Sequence, residues 1–479
     1  MLRNDNLNLL MNKVKELAQI ILDKAKKGNS FLIISHFDAD GLASAGIIGK
    51  ALARLDTPFH LRIVDHIDEK MIEEIKSIEH DVLMFTEIGS GYLDLLQDML
   101  SDKNEIIVID HHQPILNISS KIIHLNPHLY GFDGSKEIAG SGVVYLVSKE
   151  IDKQNIDLST LAVVGALGDM QDKCGKRSLC GLNDFIAQES VKHGYLKMYI
   201  DLIFYGRETR PLHKALAYTT NPFLPGLSGE EDKCLALLTS SKIDLKDGDR
   251  WRTISDLSLE EKKLLLTKII EFLSTSGFPG KKALDLIGTV YTLIKEEKTT
   301  PTRDAREFAA ILNACGRMNK TGLAISLCLG NRSSSLKEAQ QVLADYRKTL
   351  AKYINLLTEN PNYVQAMERI YAIKGDKWLD ENMTGALASM LSSSGILNED
   401  KAIIVIAKSK DYLYKISARV NEFMLSKGVN LGELIQNLAK LYKGVGGGHD
   451  IAAGATIPAE FISEFLKDLN LSLCKILGN

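Results

Sequence analysis

The chain has 479 residues, 45% of them hydrophobic and 25% charged; it is too long for one ordinary core and too apolar for disorder, so two to four globular domains of roughly 100 to 200 residues are expected. A formal net charge of −3 excludes a global basic field, and any grip on a nucleic acid must come from a local patch. No apolar stretch approaches the ~20 residues that cross a bilayer, and the opening segment MLRNDNLNLLMNK is too polar for a signal peptide, so no membrane partner and a cytoplasmic location are expected.

Between Leu7 and Lys27, the residues Leu10, Val14, Leu17, Ile20 and Ile21 recur at helical spacing and Gly28 follows where a C-cap glycine belongs, which predicts a first helix. Three short apolar runs come next: Phe31 to Ser35 (FLIIS), Val82 to Thr86 (VLMFT) and Glu105 to Ile109 (EIIVI). Separated by helical or loop stretches, they read as strands buried on both faces of a parallel sheet. In such sheets functional residues collect beyond the carboxyl ends of the strands. Here the first run enters His36-Phe37-Asp38-Ala39-Asp40-Gly41, the second Glu87-Ile88-Gly89, and the third Asp110-His111-His112.

Leu161 to Asp172 (LAVVGALGDMQD) is a further apolar run with an acidic end, and Pro222 to Gly229 holds the turn formers of a boundary. Residues 230 to 300 read as helical, with Leu257 to Leu273 the clearest amphipathic run and no nameable chemistry. Ser335 to Glu359 has no glycine or proline and predicts one helix nearly 40 Å long, at about 1.5 Å per residue. Beyond Asn360 a second α/β unit is expected, with strands around Ala402 to Ile406 and Tyr412 to Ile416, closing on Gly446-Gly447-Gly448-His449. The expected architecture is α/β: a parallel-sheet catalytic domain over 1–222, an inserted helical region over 223–332, a connecting helix over 333–360 and a smaller α/β substrate-binding domain over 361–479. The six cysteines are scattered without a Cys-x-x-Cys pair and read as small buried or incidental residues.

His36, Asp38 and Asp40 stand at i, i+2 and i+4, so in an extended segment their side chains point to one side. Carboxylates with imidazoles suit manganese or magnesium, and the histidines tilt the choice toward manganese. Any one such residue at a strand end is usually solvated or a helix cap. His-x-Asp-x-Asp, Asp-His-His and Gly-Asp169 behind separate apolar runs together point to a metal site. The run Gly446 to Gly448 exposes backbone N–H groups that suit a phosphate, with His449 as a further donor, or else makes a tight turn. Two basic stretches, Lys173 to Arg177 and Arg207 to Lys214, read either as a nucleic-acid path or as solvated loops. The nearby Phe204, Tyr205 and Tyr218 either stack on bases or, more commonly, fill a core.

The pieces SHFDADGLAS (35–44), TEIGSG (86–91), IDHH (109–112), GALGDMQD (165–172) and VGGGHDIAAGA (445–455) resemble, in order, the motifs of the DHH phosphoesterase family and its DHHA1 subgroup. LNACGRMNKTGLA (312–324) followed by the long helix is similar to the RecJ branch of nucleases. The layout, with a middle insertion and no further nucleic-acid-binding domain expected after the glycine cluster, resembles archaeal RecJ-like nucleases that associate with the GINS replication complex. The resemblance implies that His36 and Asp38 hold one Mn²⁺, that Asp40, His111 and Asp169 hold a second, and that the acid at position 87 bridges them, with Mg²⁺ as an alternative ion. It further implies His112 as a donor to the phosphate or leaving group, Asp110 as the group that orients a neighbouring imidazole, and Arg317, Ser417, Arg419 and Gly446 to His449 as phosphate-binding elements.

The implied activity is two-metal hydrolysis of phosphodiester bonds in single-stranded DNA or RNA by an exonuclease of replication or repair, with single-stranded nucleic acid and a GINS-type complex as partners. Two other readings belong to the same fold: a catalytically weakened replisome scaffold or helicase cofactor, and an oligonucleotide or dinucleotide phosphodiesterase. The sequence departs from the family at Glu87, where aspartate is usual. Glutamate is a methylene longer, so a bridge from this position requires a shifted backbone or another binding mode.

Overall fold

The computed structural model describes residues 2–100, 105–115, 122–219, 222–394, 397, 400–409 and 412–478. The chain divides into two compact units, Met1–Tyr218 with Glu230–Leu343, and Thr219–Gly229 with Ala344–Asn479.

The first unit opens in chain order with α1 (Leu2–Lys26), β1 (Phe31–His36), α2 (Ala39–Arg54), β2 (Phe59–Val64), α3 (Glu69–Lys76), β3 (Val82–Thr86), α4 (Leu93–Leu100), β4 (Glu105–Ile109), β5 (Ile122–Leu125), α5 (Gly140–Ile151), α6 (Ser159–Gly168), α7 (Gly181–Lys192) and β6 (Leu196–Leu202). The first five strands form one sheet in the order β2-β1-β3-β4-β5, and every pairing in it is parallel. The predicted runs FLIIS, VLMFT and EIIVI are β1, β3 and β4, the central strands, and their side chains are almost wholly buried. The sequence reading missed β2 and β5. Both lie at sheet edges: β2 alternates apolar residues with His60 and Arg62, and β5 has only four residues, so neither presents the continuous apolar run of a strand covered on both faces.

Strand order reverses at β1, whose neighbours are β2 on one side and β3 on the other. That reversal opens a crevice beyond the carboxyl ends of β1 and β3. The apolar run before Asp169 is α6, which is buried almost throughout and packs against α2, α5 and α7, as a helix apolar on all sides must be.

The expectation of a helical region over 230–300 holds for Glu231–Ser240 and for Leu259–Thr275, the latter started by a reciprocal Ser258/Glu261 capping box. It fails at Ile287–Leu293, a strand antiparallel to β6. That segment, IGTVYTL, is rich in β-branched and aromatic residues and largely buried, which favours a strand. Cysteine usage also needs correction, because Cys174 and Cys180 form a disulfide with their Cα atoms 5.9 Å apart. A two-residue antiparallel bridge between Cys174 and Ser178 turns the chain back and brings together sulfurs that no Cys-x-x-Cys spacing announces. Cys234, Cys315 and Cys328 are free and buried, as expected of small apolar residues.

The long predicted helix is Ser334–Glu359, with Ser334 to Leu343 in the first unit and the rest in the second. The second unit carries a mixed six-stranded sheet in the order Val364–Ala366, Ile370–Lys374, Ala402–Lys408, Leu413–Arg419, Ala452–Pro458 and Val445–Gly448. One face is covered by a core around Ile404, Ile416, Ile435 and Phe465, and the other by a core around Val405, Leu387 and Tyr353. Among the described residues no helix is long and apolar enough to cross a membrane.

One contact in the first unit leaves no room for a methyl group. In the helix Ala305–Arg317, a Cβ at Gly316 would lie 1.8 Å from the Phe37 carbonyl oxygen. Gly316→Ala is expected to cost about 1–3 kcal/mol by overpacking, read as a lowered denaturation midpoint of the full chain. Gly322→Ala, where an added Cβ meets nothing within 4 Å, is the control and should leave the midpoint level or higher; equal midpoints for both variants would refute the packing argument.

Candidate metal centre

Each strand end places its polar residue by a local device. β1 ends at His36, and Asp38 caps α2 by accepting the Gly41 N–H at 2.9 Å through Oδ1, which leaves Oδ2 toward His36. Asp40, in the first turn of α2, is fully buried and accepts the Gly140 and Ser141 N–H groups at 2.7 and 3.0 Å. These belong to the first turn of α5, so a carboxylate meets the positive end of a helix. Glu87 follows β3 and donates its N–H to Ile109 at 2.9 Å, with a left-handed backbone, φ +61°, that is unusual for a non-glycine residue and clusters at functional sites. Asp110, His111 and His112 follow β4, and Asp169 caps the carboxyl end of α6.

The donor atoms converge. His36 Nδ1 lies 3.2 Å from Asp38 Oδ2 and 3.4 Å from Glu87 Oε2. His111 Nε2 lies 3.6 Å from Asp40 Oδ2 and 3.7 Å from Glu87 Oε1, and His112 Nε2 lies 3.8 Å from Glu87 Oε1. Three donor groups result: His36, Asp38 and Glu87; Asp40, His111 and Asp169; and Glu87, His111 and His112, each with its atoms within 4.8 Å of one another. Glu87, only 2% exposed, turns one oxygen toward His36 and the other toward His111 and His112. His36 Nδ1 and Glu87 Oε2 are buried without a hydrogen-bond partner. Two ligands about 2.1 Å from a common ion and at right angles are about 3 Å apart, so these spacings and this imidazole-carboxylate donor set fit a divalent cation of the manganese or magnesium kind.

Asp110 is placed differently. Its Oδ2 accepts the Ser90 N–H at 2.8 Å, and its Oδ1 accepts the His111 N–H at 2.7 Å and faces His112 Nδ1 at 2.9 Å. This engagement holds the His112 ring and leaves its Nε2 facing Glu87. His111 Nδ1 is held by the Gly134 carbonyl at 2.6 Å, so Nδ1 carries a proton and Nε2 is the ring atom that faces Asp40 and Glu87.

Several residues of the site were not singled out from sequence. Ser90 and Gln171 stood inside the recognised TEIGSG and GALGDMQD pieces without a role, whereas Asn126, which donates to the His112 carbonyl at 2.8 Å, Gly134, Gly140 and Asn183 carried no chemical signature. Gly140 is the least legible: an added Cβ would lie 2.6 Å from Glu87 Cγ, 2.8 Å from Glu87 Cβ and 3.1 Å from Asp40 Oδ2, so its missing side chain makes room for the two acids. Asn313, within the ACGR-bearing piece, accepts the Ala39 N–H at 3.0 Å. Together with Gly316 against Phe37, this seats the helix that ends at Arg317 on the loop that carries Asp38.

The remaining predicted residues belong to the second unit. Ser417 pairs across the sheet with Gly454, which pairs in turn with Gly447, while Arg419 pairs with Ala452. Ser417 and Gly447 thus lie on one face of the sheet, two strands apart. Ser417 Oγ meets Thr384 Oγ1 at 2.9 Å, and Arg419 Nε donates to Ser389 at 3.0 Å. Packing accounts for two of the glycines. A Cβ at Gly446 would crowd Ala455 and Ala439 at 2.9 and 3.0 Å, and Gly448 has φ +147° with backbone 2.5 Å from its Cβ position. Gly447 meets nothing within 4 Å, so no packing reason explains it. His449 donates its N–H to Ala452 at 2.8 Å, closing the turn between the two strands. Of the basic stretches, Arg207 is not a surface residue: it is almost fully buried and bonded to Asp201, Glu208 and Tyr199. Phe204 is buried, and Arg210 lies over the rings of Tyr205 and Tyr218.

Charge in the cluster is not balanced by hydrogen bonds alone. Burial, opposed by His111 but reinforced by Glu87, Asp169 and Asp38, pushes the Asp40 carboxyl up to about 7. Burial works against charge on His36 and His111 as well, but the surrounding carboxylates raise both imidazoles well above their ordinary value. A carboxyl raised in the fold binds more protons folded than unfolded, so its effect is loss of stability as pH climbs from about 4 to 7. A raised imidazole contributes stability below about pH 6.5 that is lost as pH rises through the folded value. Both signs agree. The metal-free protein is expected to melt at lower temperature at about pH 8 than at about pH 5, and Asp40→Asn should flatten the part of that slope below about pH 7. Thermal melts in chelator across this range check it, and stability that rises over the interval would contradict the charge assignment.

The model of the DHH family, N-terminal domain, matches residues 30–167, the DHH-CID domain residues 204–287, and the DHHA1 domain residues 368–473. The uncharacterized protein MJ0831 of Methanocaldococcus jannaschii is 33% identical over 468 residues, which are 96% of this chain and 97% of that protein. The single-stranded-DNA-specific exonuclease RecJ of Thermus thermophilus is 24% identical over 246 residues, 48% of this chain and only 35% of the exonuclease. Its crystal structure in complex with Mn²⁺ superposes with a TM-score of 0.59 at 16% identity, covering 97% of this chain and 55% of RecJ. The crystal structure of CDC45 from Entamoeba histolytica superposes with a TM-score of 0.64 at 12% identity, covering 97% and 99% of the two chains. With the domain models in order along the chain and near-complete alignment to the Methanocaldococcus protein, this chain belongs to the DHH family and carries a DHHA1 domain.

Proposed function

We propose that this protein is a nuclease that hydrolyses phosphodiester bonds of single-stranded nucleic acid with two divalent cations. The observation that carries this reading is Glu87, which turns one carboxylate oxygen toward His36 and Asp38 and the other toward His111. In this reading His36 and Asp38 hold one ion, Asp40, His111 and Asp169 hold the other, and Glu87 joins them. When bound, such a pair of ions supplies an activated water and charge that clamps the scissile phosphate.

The chain's own residues supply the rest. Asp110 holds His112 at Nδ1 and leaves Nε2 to donate a proton to the leaving oxygen. Arg317 offers a guanidinium to the phosphate from the helix seated on the Asp38 loop. In the second unit Ser417, Arg419, the open Gly447 and its neighbours Gly446, Gly448 and His449 are assigned to a terminal phosphate. Similarity to the Thermus exonuclease supports the substrate class; its crystal structures hold Mn²⁺ or Mg²⁺, and the imidazoles of this donor set favour Mn²⁺. A GINS-type replication complex is the proposed protein partner, on the resemblance of the domain layout. The second reading, a replisome component with weakened catalysis, is favoured by Glu87 in place of aspartate and by the full-length superposition on CDC45.

Labelled single-stranded DNA and RNA incubated with Mn²⁺ separate the two. The wild-type chain is expected to cleave, and Asp40→Ala to lose at least a hundredfold in rate, on the order of the several kcal/mol such ions contribute. Equal cleavage by both proteins would sink the enzyme reading. Glu87→Asp is expected to keep or raise activity, and complete loss on that change would remove Glu87 from the bridging position.

A further inference from the structure

Building on the two-ion reading, we infer that Gln171 is a positioning residue that sets the second donor group by fixing Asp169 and His111 at once. Gln171 is fully buried. Its Nε2 donates to Asp169 Oδ2 at 2.8 Å and to the Gly134 carbonyl at 2.8 Å, and that carbonyl also accepts from His111 Nδ1 at 2.6 Å. A single primary amide thus commits both its N–H groups to the supports of two metal donors. Gly134 is needed for this approach, since a Cβ there would lie 1.9 Å from the His111 carbonyl oxygen.

The orientation of the amide is dictated from the backbone. The Ala139 N–H can only donate, and it points at Asn183 Oδ1 at 3.1 Å. That turns Asn183 Nδ2 to Gln171 Oε1 at 2.6 Å, and Gln171 must then present Nε2, not oxygen, to Asp169 and Gly134. Asn183 is itself anchored by its N–H to the Glu137 carbonyl at 2.8 Å. The relay therefore runs with one polarity from a backbone donor to a metal donor. Among the described residues it makes no hydrogen bond to His36 or Asp38, so its effect is confined to one of the two ions. Outer partners of this kind typically change metal affinity by roughly 10- to 100-fold when removed.

The test is calorimetric titration of the metal-stripped full chain with MnCl₂, together with the melting temperature of the metal-free protein. The wild type is expected to take two ions. Gln171→Met keeps the length of the side chain but offers no N–H, and is expected to weaken one ion by roughly 10- to 100-fold while the other keeps its affinity. Asn183→Asp retains an acceptor for Ala139 but can no longer donate to Gln171. The amide then turns its Nε2 toward the introduced carboxylate and its oxygen toward Asp169, and the same ion is expected to weaken. A wild-type chain that takes no Mn²⁺ overturns the underlying two-ion reading. A wild type that takes two, with variants that bind both as well as it does or lose both together, overturns the relay alone. Should Gln171→Met fail to fold, Asn183→Asp decides on the same criterion.

Discussion

A carboxylate taken out of water costs several kcal/mol unless donors or positive charge replace the solvent, and the crevice beyond β1, β3 and β4 buries Asp40, Glu87 and Asp110 almost completely. The three solve this differently. Asp110 is surrounded by backbone N–H groups and the His112 ring, which hold it well below the usual carboxylate range against the opposing effect of burial. Asp40 has the first turn of α5 and is still pushed upward by burial and its acidic neighbours. Glu87 has an oxygen with no hydrogen bond. Hydrogen bonds leave part of the charge between Asp40 and Glu87 uncompensated, and the carboxylates there raise the His36 and His111 imidazoles well above their ordinary value. A divalent cation held at that place would supply the positive charge that protons on these imidazoles otherwise supply.

The departure at position 87 acquires a structural meaning from this geometry. The backbone takes a left-handed conformation at Glu87, and α5 begins with a glycine packed against Cβ and Cγ of the acid. The Glu87 carboxylate faces both donor groups.

The core of this site was legible because its donors sit at strand ends, and central strands of a parallel sheet announce themselves as apolar runs. His36, Asp38, Asp40, Glu87, Asp110, His111 and His112 all stand within a few residues of such an end. What holds the donors was not legible, and for a physical reason. Gly134 and Gly140 act by lacking a side chain, Ala139, Gly140 and Ser141 by their backbone N–H groups, and Gln171 and Asn183 by amides whose partners are distant in sequence. None of these leaves a residue-type signature. The strand Ile287–Leu293 escaped for a related reason, since its partner β6 lies some ninety residues earlier and nothing local to the helix-rich stretch announces the pairing.

Much of the site's support is backbone, and this has an energetic consequence. Side chains that converge on an ion lose rotamer entropy of up to about 2 kcal/mol each if they are free beforehand, and the ion must then overcome that cost. Here Asp38 is held by the Gly41 N–H, Asp40 by Gly140 and Ser141, Asp110 by Ser90 and His111, and the His111 ring by the Gly134 carbonyl. These anchors belong to helix starts and strand ends that the packed cores fix independently of any ligand. Side chains so held would be ordered before an ion arrives, with the ordering cost met by the fold. Of the three buried acids Asp40, Glu87 and Asp110, Glu87 is the one with an oxygen that has no hydrogen bond.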